Sequence, residues 1–234
     1  MKKTDQIVQR GKGRLRFRNG DMDFLFSWVL GLSQVMGMSA SQAFQAVASC
    51  RDGDPTGWRE GFSGLAERLA ELARRQENDG ERMLAAQNFM GATTAYRAAL
   101  HFVDPADPHF LPLARGMEGS FQAGARLLGI PLRPIEVPFE GKSLSGYFLH
   151  AEHEMVGDEA RPLLVMVGGG DTFREDLFNF AGYPGWKRGY DVLMVDLPGQ
   201  GLMPNRGFTF RTDMAGPVSA VLDWAEAELK SPRG

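Results

Sequence analysis

The stretch Leu163-Leu164-Val165-Met166-Val167-Gly168-Gly169-Gly170-Asp171 decides the fold. Five bulky apolar residues without a break make the kind of short strand that is buried on both faces of a sheet. The glycine cluster follows at the carboxyl end of that strand. Open α/β sheets place their ligands there, and glycine alone lets backbone N–H groups come close to an anion. Downstream, residues 174–188 have helical texture, Asp191–Val195 is a second unbroken apolar run, and residues 213–229 are helical again. Strand, helix, strand, helix implies parallel crossovers. Upstream, Ile135–Phe139 and Leu144–Leu149 flank the turn Glu140-Gly141-Lys142 and predict an antiparallel hairpin. The fold class is therefore α/β.

Before the hairpin the texture changes. Residues 130–138 hold Pro131, Pro134 and Pro138 within nine positions, which no helix tolerates, so the boundary between two units is expected here. From Asp21 to about Leu128 the periodicity is helical. Phe24, Trp28, Leu32 and Val35 recur at helical steps, and Ser39 with Gln42 has the form of a capping box. Asp54-Pro55 predicts an N-cap and first residue for a helix through Trp58, Phe62, Leu65, Leu69 and Leu72. Two more helices are expected over 80–103 and 107–128. The organisation read from sequence is a basic flexible arm over 1–20, an all-helical unit over 21–130 and an α/β unit over 131–234.

Of the 234 residues 43% are hydrophobic and 24% charged, the balance of a globular protein with a real core, which excludes disorder over the whole chain. The net charge of −3 gives no overall bias toward nucleic acid or an anionic membrane. Residues 1–18 carry seven basic side chains against Asp5 alone, but no DNA-binding pattern follows them, so a solvated terminus is expected and no nucleic-acid partner. A single cysteine, Cys50, cannot form an internal disulfide, and no stretch of about 18 apolar residues exists. A cytoplasmic protein with no membrane partner is the expectation.

Three chemical lures fail on spacing. A dinucleotide fingerprint counted from Gly168 would need glycine where Phe173 stands, although Asp196 ends the next strand as a ribose acid would. Gly141-Lys142-Ser143 has the tail of a phosphate loop, yet Glu136 occupies the required upstream glycine position. His150 and His153 lack a partner set for zinc and read as surface residues. What remains at Gly169, Gly170 and Asp171 is a backbone oxyanion hole, or a tight turn with no ligand. Trp28, Trp58, Phe89 and Tyr96 sit at helical spacing as core residues do. Phe24 and Trp28 are the aromatic candidates for contact with a small-molecule substrate.

The order of these pieces resembles the α/β-hydrolase superfamily, in the branch with an N-terminal helical cap that includes 2,6-dihydroxypseudooxynicotine hydrolase, heptaketide pigment hydrolase and the fermentation-respiration switch esterases. The resemblance is carried by Pro138-Phe-Glu-Gly141 with Gly146-Tyr-Phe148, by Gly169-Gly170-Asp171, by Arg188-Gly189-Tyr190, by Asp196 with Pro198-Gly-Gln-Gly201, and by Pro217-Val218 through Asp223. It implies a helical cap over 21–130 and a partial α/β-hydrolase domain over 131–234, with the oxyanion hole at Gly169, Gly170 and Asp171. It also implies cleavage of esters, or of carbon–carbon bonds next to a carbonyl, by a serine nucleophile with histidine and an acid, and without metal or organic cofactor. Asp213 matches an acidic position of the family, with Met214 where a tryptophan usually follows. The family's G-x-S-x-G elbow comes one strand after the helix at 213–229, and these 234 residues contain no such motif. The resemblance therefore implies the N-terminal part of a serine hydrolase, cut short by a truncated or frameshifted reading frame before the nucleophile. Its expected partners are a complementing C-terminal fragment or a second copy. The alternative is a non-catalytic binding or oligomerisation module derived from such an enzyme.

Overall fold

The helical periodicity before residue 130 is realised in the computed structural model, which describes residues 13–33, 37–151 and 162–230, as five helices. These are α1 (Gly20–Ser33), α2 (Ala40–Ala46), α3 (Pro55–Asn78), α4 (Arg82–Ala99) and α5 (Phe110–Leu127), with a 3-10 turn Leu100–Phe102 after α4. The capping box forms as expected: the Gln42 N–H donates to Ser39 Oγ at 3.2 Å and the Ser39 N–H to Gln42 Oε1 at 2.8 Å. Asp54 caps α3 by accepting from the Gly57 N–H at 2.9 Å, and Pro55 stands at its first turn.

Trp58 and Phe62 are fully buried and centre the helical core, where the Trp58 indole N–H donates to the Ala98 carbonyl at 2.7 Å. Leu72, expected on the same face, is instead 40% exposed. Toward its C-terminal end α3 meets α4 and α5 through small residues, with Ala73 packed among Ala85, Ala86 and Leu127, and that rotates the buried stripe past Leu72.

The arm expected to be flexible over 1–20 is corrected in its second half. Met1–Lys12 lie outside the described residues. Beyond them, the buried Asp23 carboxylate accepts backbone N–H bonds from Leu15, Arg16 and Phe17. Phe17 is buried against Trp58 and Phe26, and Arg16 Nη2 donates to the carbonyls of Val47, Ala48 and Cys50. A carboxylate facing three consecutive N–H groups organises the segment in a way that charge counting does not reveal.

Among the described residues the sheet has four strands in the order β1-β2-β4-β3, namely β1 (Leu132–Phe139), β2 (Lys142–Leu149), β3 (Leu163–Val167) and β4 (Asp191–Val195). β1 and β2 form the expected antiparallel hairpin, paired from Leu132↔Leu149 to Phe139↔Lys142, longer than the sequence suggested. Pro134 and Pro138 are tolerated because β1 is an edge strand, and two residues of the same parity turn their missing N–H groups to the same open side. β4 is antiparallel to β2 and parallel to β3. Side chains alternate across the sheet. Tyr147, Leu149, Val192 and Met194 pack with Phe121 of α5 on one face, and Leu144, Phe148, Leu193 and Val195 pack with Val221 of the last helix, α8 (Ala215–Lys230), on the other.

The helix expected over 174–188 is broken into α6 (Arg174–Leu177), a π-helical stretch Phe178–Gly182 and α7 (Tyr183–Trp186). Pro184 has no N–H to give to the carbonyl four residues before it, and the wider turn absorbs the mismatch.

β3 lies at the other edge. β4 is buried along its whole length, whereas Leu163–Met166 are half-buried and Val167 is 47% exposed. The Asp191 N–H donates to the Pro162 carbonyl at 3.1 Å, so in this parallel pairing the backbone groups of Leu164 and Met166 face β4 and those of Val165 and Val167 face outward. In the isolated chain the Val165 and Val167 amides should therefore exchange with solvent at least tenfold faster than those of Leu164 and Met166. Equal strong protection across the strand in a soluble monomer would show that the edge is covered.

Candidate active site at the junction of cap and sheet

The residues after β3 form a turn that holds itself together. The Gly169 N–H donates to Thr172 Oγ1 at 3.0 Å and the Thr172 N–H returns to the Gly169 carbonyl at 3.2 Å. Gly168 has no space for a side chain, because a Cβ there would stand 2.4 Å from Thr172 Cβ. The loop after β4 braces the turn: the Gln200 side-chain amide donates to the Gly168 carbonyl, and the Gly201 N–H donates to the Thr172 carbonyl at 3.2 Å. From the helical side, Arg97 Nη2 donates to the Asp171 carbonyl at 2.7 Å. Among the described residues the N–H groups of Gly170 and Asp171 have no hydrogen-bond partner.

A cavity of about 270 Å³ lies beside this turn. Gly170, Asp171 and Phe173 line it from the sheet side, and Leu25, His101 and Phe110 from the helices. The Phe110 and Phe173 rings stand 6.1 Å apart across the junction.

The structure separates the residues proposed from sequence. Gly170 and Asp171 are brought together with free donors, whereas the Gly169 N–H is spent closing the turn on Thr172. Phe24 and Trp28 do not line this cavity. Phe24 borders a separate pocket with Arg14, Leu15 and Ser27, and Trp28 packs edge-on against Phe180 at 5.8 Å. Positions 24 and 28 share a helix face, and the α1 residue that reaches the cavity is Leu25, about 100° around the axis. His150 is partly exposed and sits 3.6 Å from the buried Asp191 carboxylate, while His153 lies outside the described residues. Asp213 accepts from the Ala215 N–H at 3.1 Å at the start of α8.

Beneath the turn lies a buried charge network that sequence reasoning missed. Arg97 Nε meets both oxygens of Asp176, at 3.0 and 2.8 Å, and Asp176 also accepts from the Phe173 N–H. Arg174 is 4% exposed and faces three carboxyl groups: it donates to Glu118 of α5, and its guanidinium lies 3.4 Å from Glu175 and 4.0 Å from Asp196. Tyr147 donates to Glu175 at 2.8 Å, and burial holds its hydroxyl protonated well above the ordinary tyrosine range.

One guanidinium cannot neutralise three carboxylates, two of which, Glu175 and Asp196, are buried. Burial pushes the Asp196 carboxyl up to about 8, with Arg174 opposing the rise and Glu175 adding to it, and burial raises Glu175 as well. His101 is pushed the other way, well below its ordinary value, by burial and by Arg97. In sequence, Arg174-Glu175-Asp176 looks like a solvated first turn, and only the packing shows it to be interior.

A helical layer closing over a sheet, with a glycine turn at the carboxyl end of a parallel strand, is the architecture of an α/β hydrolase. The chain belongs to the FrsA-like esterase family, whose model matches residues 65–215. It is 31% identical over 212 residues to the hydrolase LUC6 of Fusarium sp, covering 88% of this chain and 50% of that protein. It is 28% identical over 218 residues to the 20-hydroxy-prefusarin hydrolase FUS2 of Gibberella moniliformis, covering 91% of this chain and 52% of the relative. The crystal structure of 2,6-dihydroxy-pseudo-oxynicotine hydrolase superposes with a TM-score of 0.66 at 24% identity, over 84% of this chain and 53% of that one. The chain thus spans about half the length of the curated relatives it matches. Among the described residues, none of the helices is long and apolar enough to cross a membrane.

The raised Asp196 carboxyl has a consequence for stability. The folded chain keeps a proton there that the unfolded chain, with an ordinary aspartate, releases near pH ~4. This contribution is full below about pH 4 and is lost as the pH rises through about 8. Asp196→Asn keeps an acceptor for the Arg174 N–H and should remove up to about 1.4 kcal/mol per pH unit from the downward slope of unfolding free energy between about pH 6 and 8. Urea titrations across that range measure it, and an unchanged slope would place the proton on another group.

Proposed function

We propose that these residues are the N-terminal part of a serine hydrolase acting on an ester or on a carbon–carbon bond next to a carbonyl. In this reading residues 21–130 are the cap, residues 131–234 carry the first strands of the hydrolase sheet, and the nucleophile, acid and histidine belong to polypeptide outside the 234 residues. The observation that carries it is the pair of N–H groups at Gly170 and Asp171, unpartnered among the described residues, in a turn that lines a cavity between the helices and the sheet. Attack on a carbonyl gathers negative charge on its oxygen, and two fixed backbone donors stabilise that charge without having to reorganise; one such donor is worth roughly 3–4 kcal/mol. Arg97, Gln200 and Thr172 position the donors, and the apolar lining of Leu25, Phe110 and Phe173 would exclude water around the scissile bond. The family match and the hydrolase names of the relatives support the same reaction class.

A second reading, a non-catalytic binding or oligomerisation module, draws on the open edge of β3, which a second copy could pair with. Activity separates the two. The purified chain alone should show no stoichiometric labelling by a fluorophosphonate probe at any serine. Joined to the second half of the LUC6 relative, it should label in the added half and hydrolyse p-nitrophenyl acetate. Gly170→Val should then lower kcat by about 10²–10³, because a side chain at 170 starts 2.9 Å from the Phe210 ring and must displace either the ring or the donors. Labelling of the chain alone, or an unchanged kcat in a folded variant, would overturn the assignment.

A further inference from the structure

Backbone conformation does not explain the glycine at position 170, since its φ lies outside the left-handed region. What excludes a side chain there is a single ring. A Cβ at 170 would stand 2.9 Å from Cζ, 3.1 Å from Cε2 and 4.0 Å from Cε1 of Phe210, and these are the three nearest atoms beyond its chain neighbours. The same ring lies against Gly199 in the loop after β4, where a Cβ would meet its Cγ and Cδ2 at 2.6 Å each. Phe210 thus packs on the bare backbone of two cavity-lining glycines, one from the turn after β3 and one from the loop after β4.

Phe210 is 61% exposed, yet the chain on both sides of it is anchored. Phe208 is buried with its ring 5.6 Å from that of Phe139, and its carbonyl accepts the Gly199 N–H at 2.8 Å. Arg211 Nη1 donates to Glu140 Oε1 at 2.8 Å. Two fixed neighbours therefore set the ring down on the turn, although water reaches its other side.

We propose that Phe210 is a positioning residue of the candidate site: its contact with Gly170 fixes where the Gly170 N–H stands, and Gly170 is glycine to admit the ring. The effect on rate rests on the oxyanion reading, whereas the contact between ring and turn does not. A donor that drifts loses its hold on a developing oxyanion, and misplacement by about 1 Å can cost on the order of 10²-fold in rate.

The contact is read on the 234-residue chain by NMR. Phe210 ring protons should show cross-peaks to the Gly170 α-protons. Phe210→Ala should lower the order parameter of the Gly170 N–H from about 0.85 to below about 0.6, while that of Gly169, bonded to Thr172, stays rigid. The effect on rate is read on p-nitrophenyl acetate in the chimera with the second half of LUC6. Phe210→Ala should lower kcat about tenfold with KM within about twofold, and Phe210→Leu, which keeps bulk against the turn, should restore part of it. Phe210→Tyr, a mild change at most exposed positions, adds its hydroxyl to Cζ, the ring atom nearest Gly170, and should be at least as damaging as Phe210→Ala. Gly170→Ala should be damaging with the ring present and add nothing to Phe210→Ala, because the methyl then enters space that the ring has left.

Missing cross-peaks, an unchanged order parameter at Gly170, or losses from Gly170→Ala and Phe210→Ala that multiply would overturn the proposal. Full kcat in Phe210→Ala, beside a Gly170→Val variant that has lost it, would overturn the positioning role and leave the oxyanion hole standing. Coupling of ring and turn in the chain, with kcat indifferent to both substitutions, would remove the oxyanion reading and with it the effect of Phe210 on rate.

Discussion

Everything near the candidate site depends on where two arginines end. Arg97 comes from the cap and Arg174 from the first turn after the glycine loop, and each is held by carboxylates supplied from the other side of the junction. Arg97 meets Asp176 of α6, and Arg174 meets Glu118 of α5. Two ion pairs crossing in opposite directions, with Arg174 and Asp176 buried and Glu118 partly open to water, tie the helices to the sheet, because separating a largely buried charge from its partner is costly. The arrangement is costly in itself. Its geometry is specific, and it holds the glycine turn in one position relative to the helices.

The surplus of acid around Arg174 has a structural logic. Glu175 and Asp196 are both nearly inaccessible to water, and both carboxyls are displaced upward by burial. A proton kept among them reduces the excess of negative charge around Arg174, and Asp196 accepts the Arg174 backbone N–H at 2.8 Å, which ties the end of β4 to the start of α6. Gly201 lies close enough that a Cβ there would stand 2.2 Å from the Asp196 carboxyl, so the glycine following Gln200 is required by packing and by its positive φ of 49°. The Pro198-Gly-Gln-Gly201 segment is thus one device with two uses: Gln200 braces the glycine turn, and Gly201 makes room for the buried acid.

Much of the fold was legible in the residues because local rules and tertiary packing agree there. The capping box at Ser39, the N-cap at Asp54, the hairpin around Gly141 and the two five-residue apolar strands each express a preference that the fold keeps. The candidate site was legible only as a position along the chain. Gly-Gly-Gly-Asp at a strand end marks the turn, yet which of its amides stays free depends on Thr172 capturing the one at Gly169, a contact three residues away with no periodic signature. Arg97 and His101 were invisible for a different reason. They sit on a helix and the turn after it with ordinary spacing, and their meaning comes from partners about seventy residues or more away in the chain, or from the absence of a partner. Phe24 and Trp28 show the converse, aromatic residues with the right character that do not line this cavity.

The position of the glycine turn also explains how a loop leaving an edge strand can stay ordered. Among the described residues β3 is hydrogen-bonded on one side, by β4, and an edge strand is the part of a sheet most prone to fray or to pair with another chain. If the turn relied on β3 it would inherit that weakness. Its restraints instead come from elsewhere: Gln200 and Gly201 from the loop after the fully buried β4, and Arg97 from a helix in the core of the cap. Three anchors from two sources converge on the carbonyls of Gly168, Asp171 and Thr172, which leaves the N–H groups of Gly170 and Asp171 as the unengaged donors of the turn. The turn is thus held by its carbonyls, and its braces act independently of the open edge.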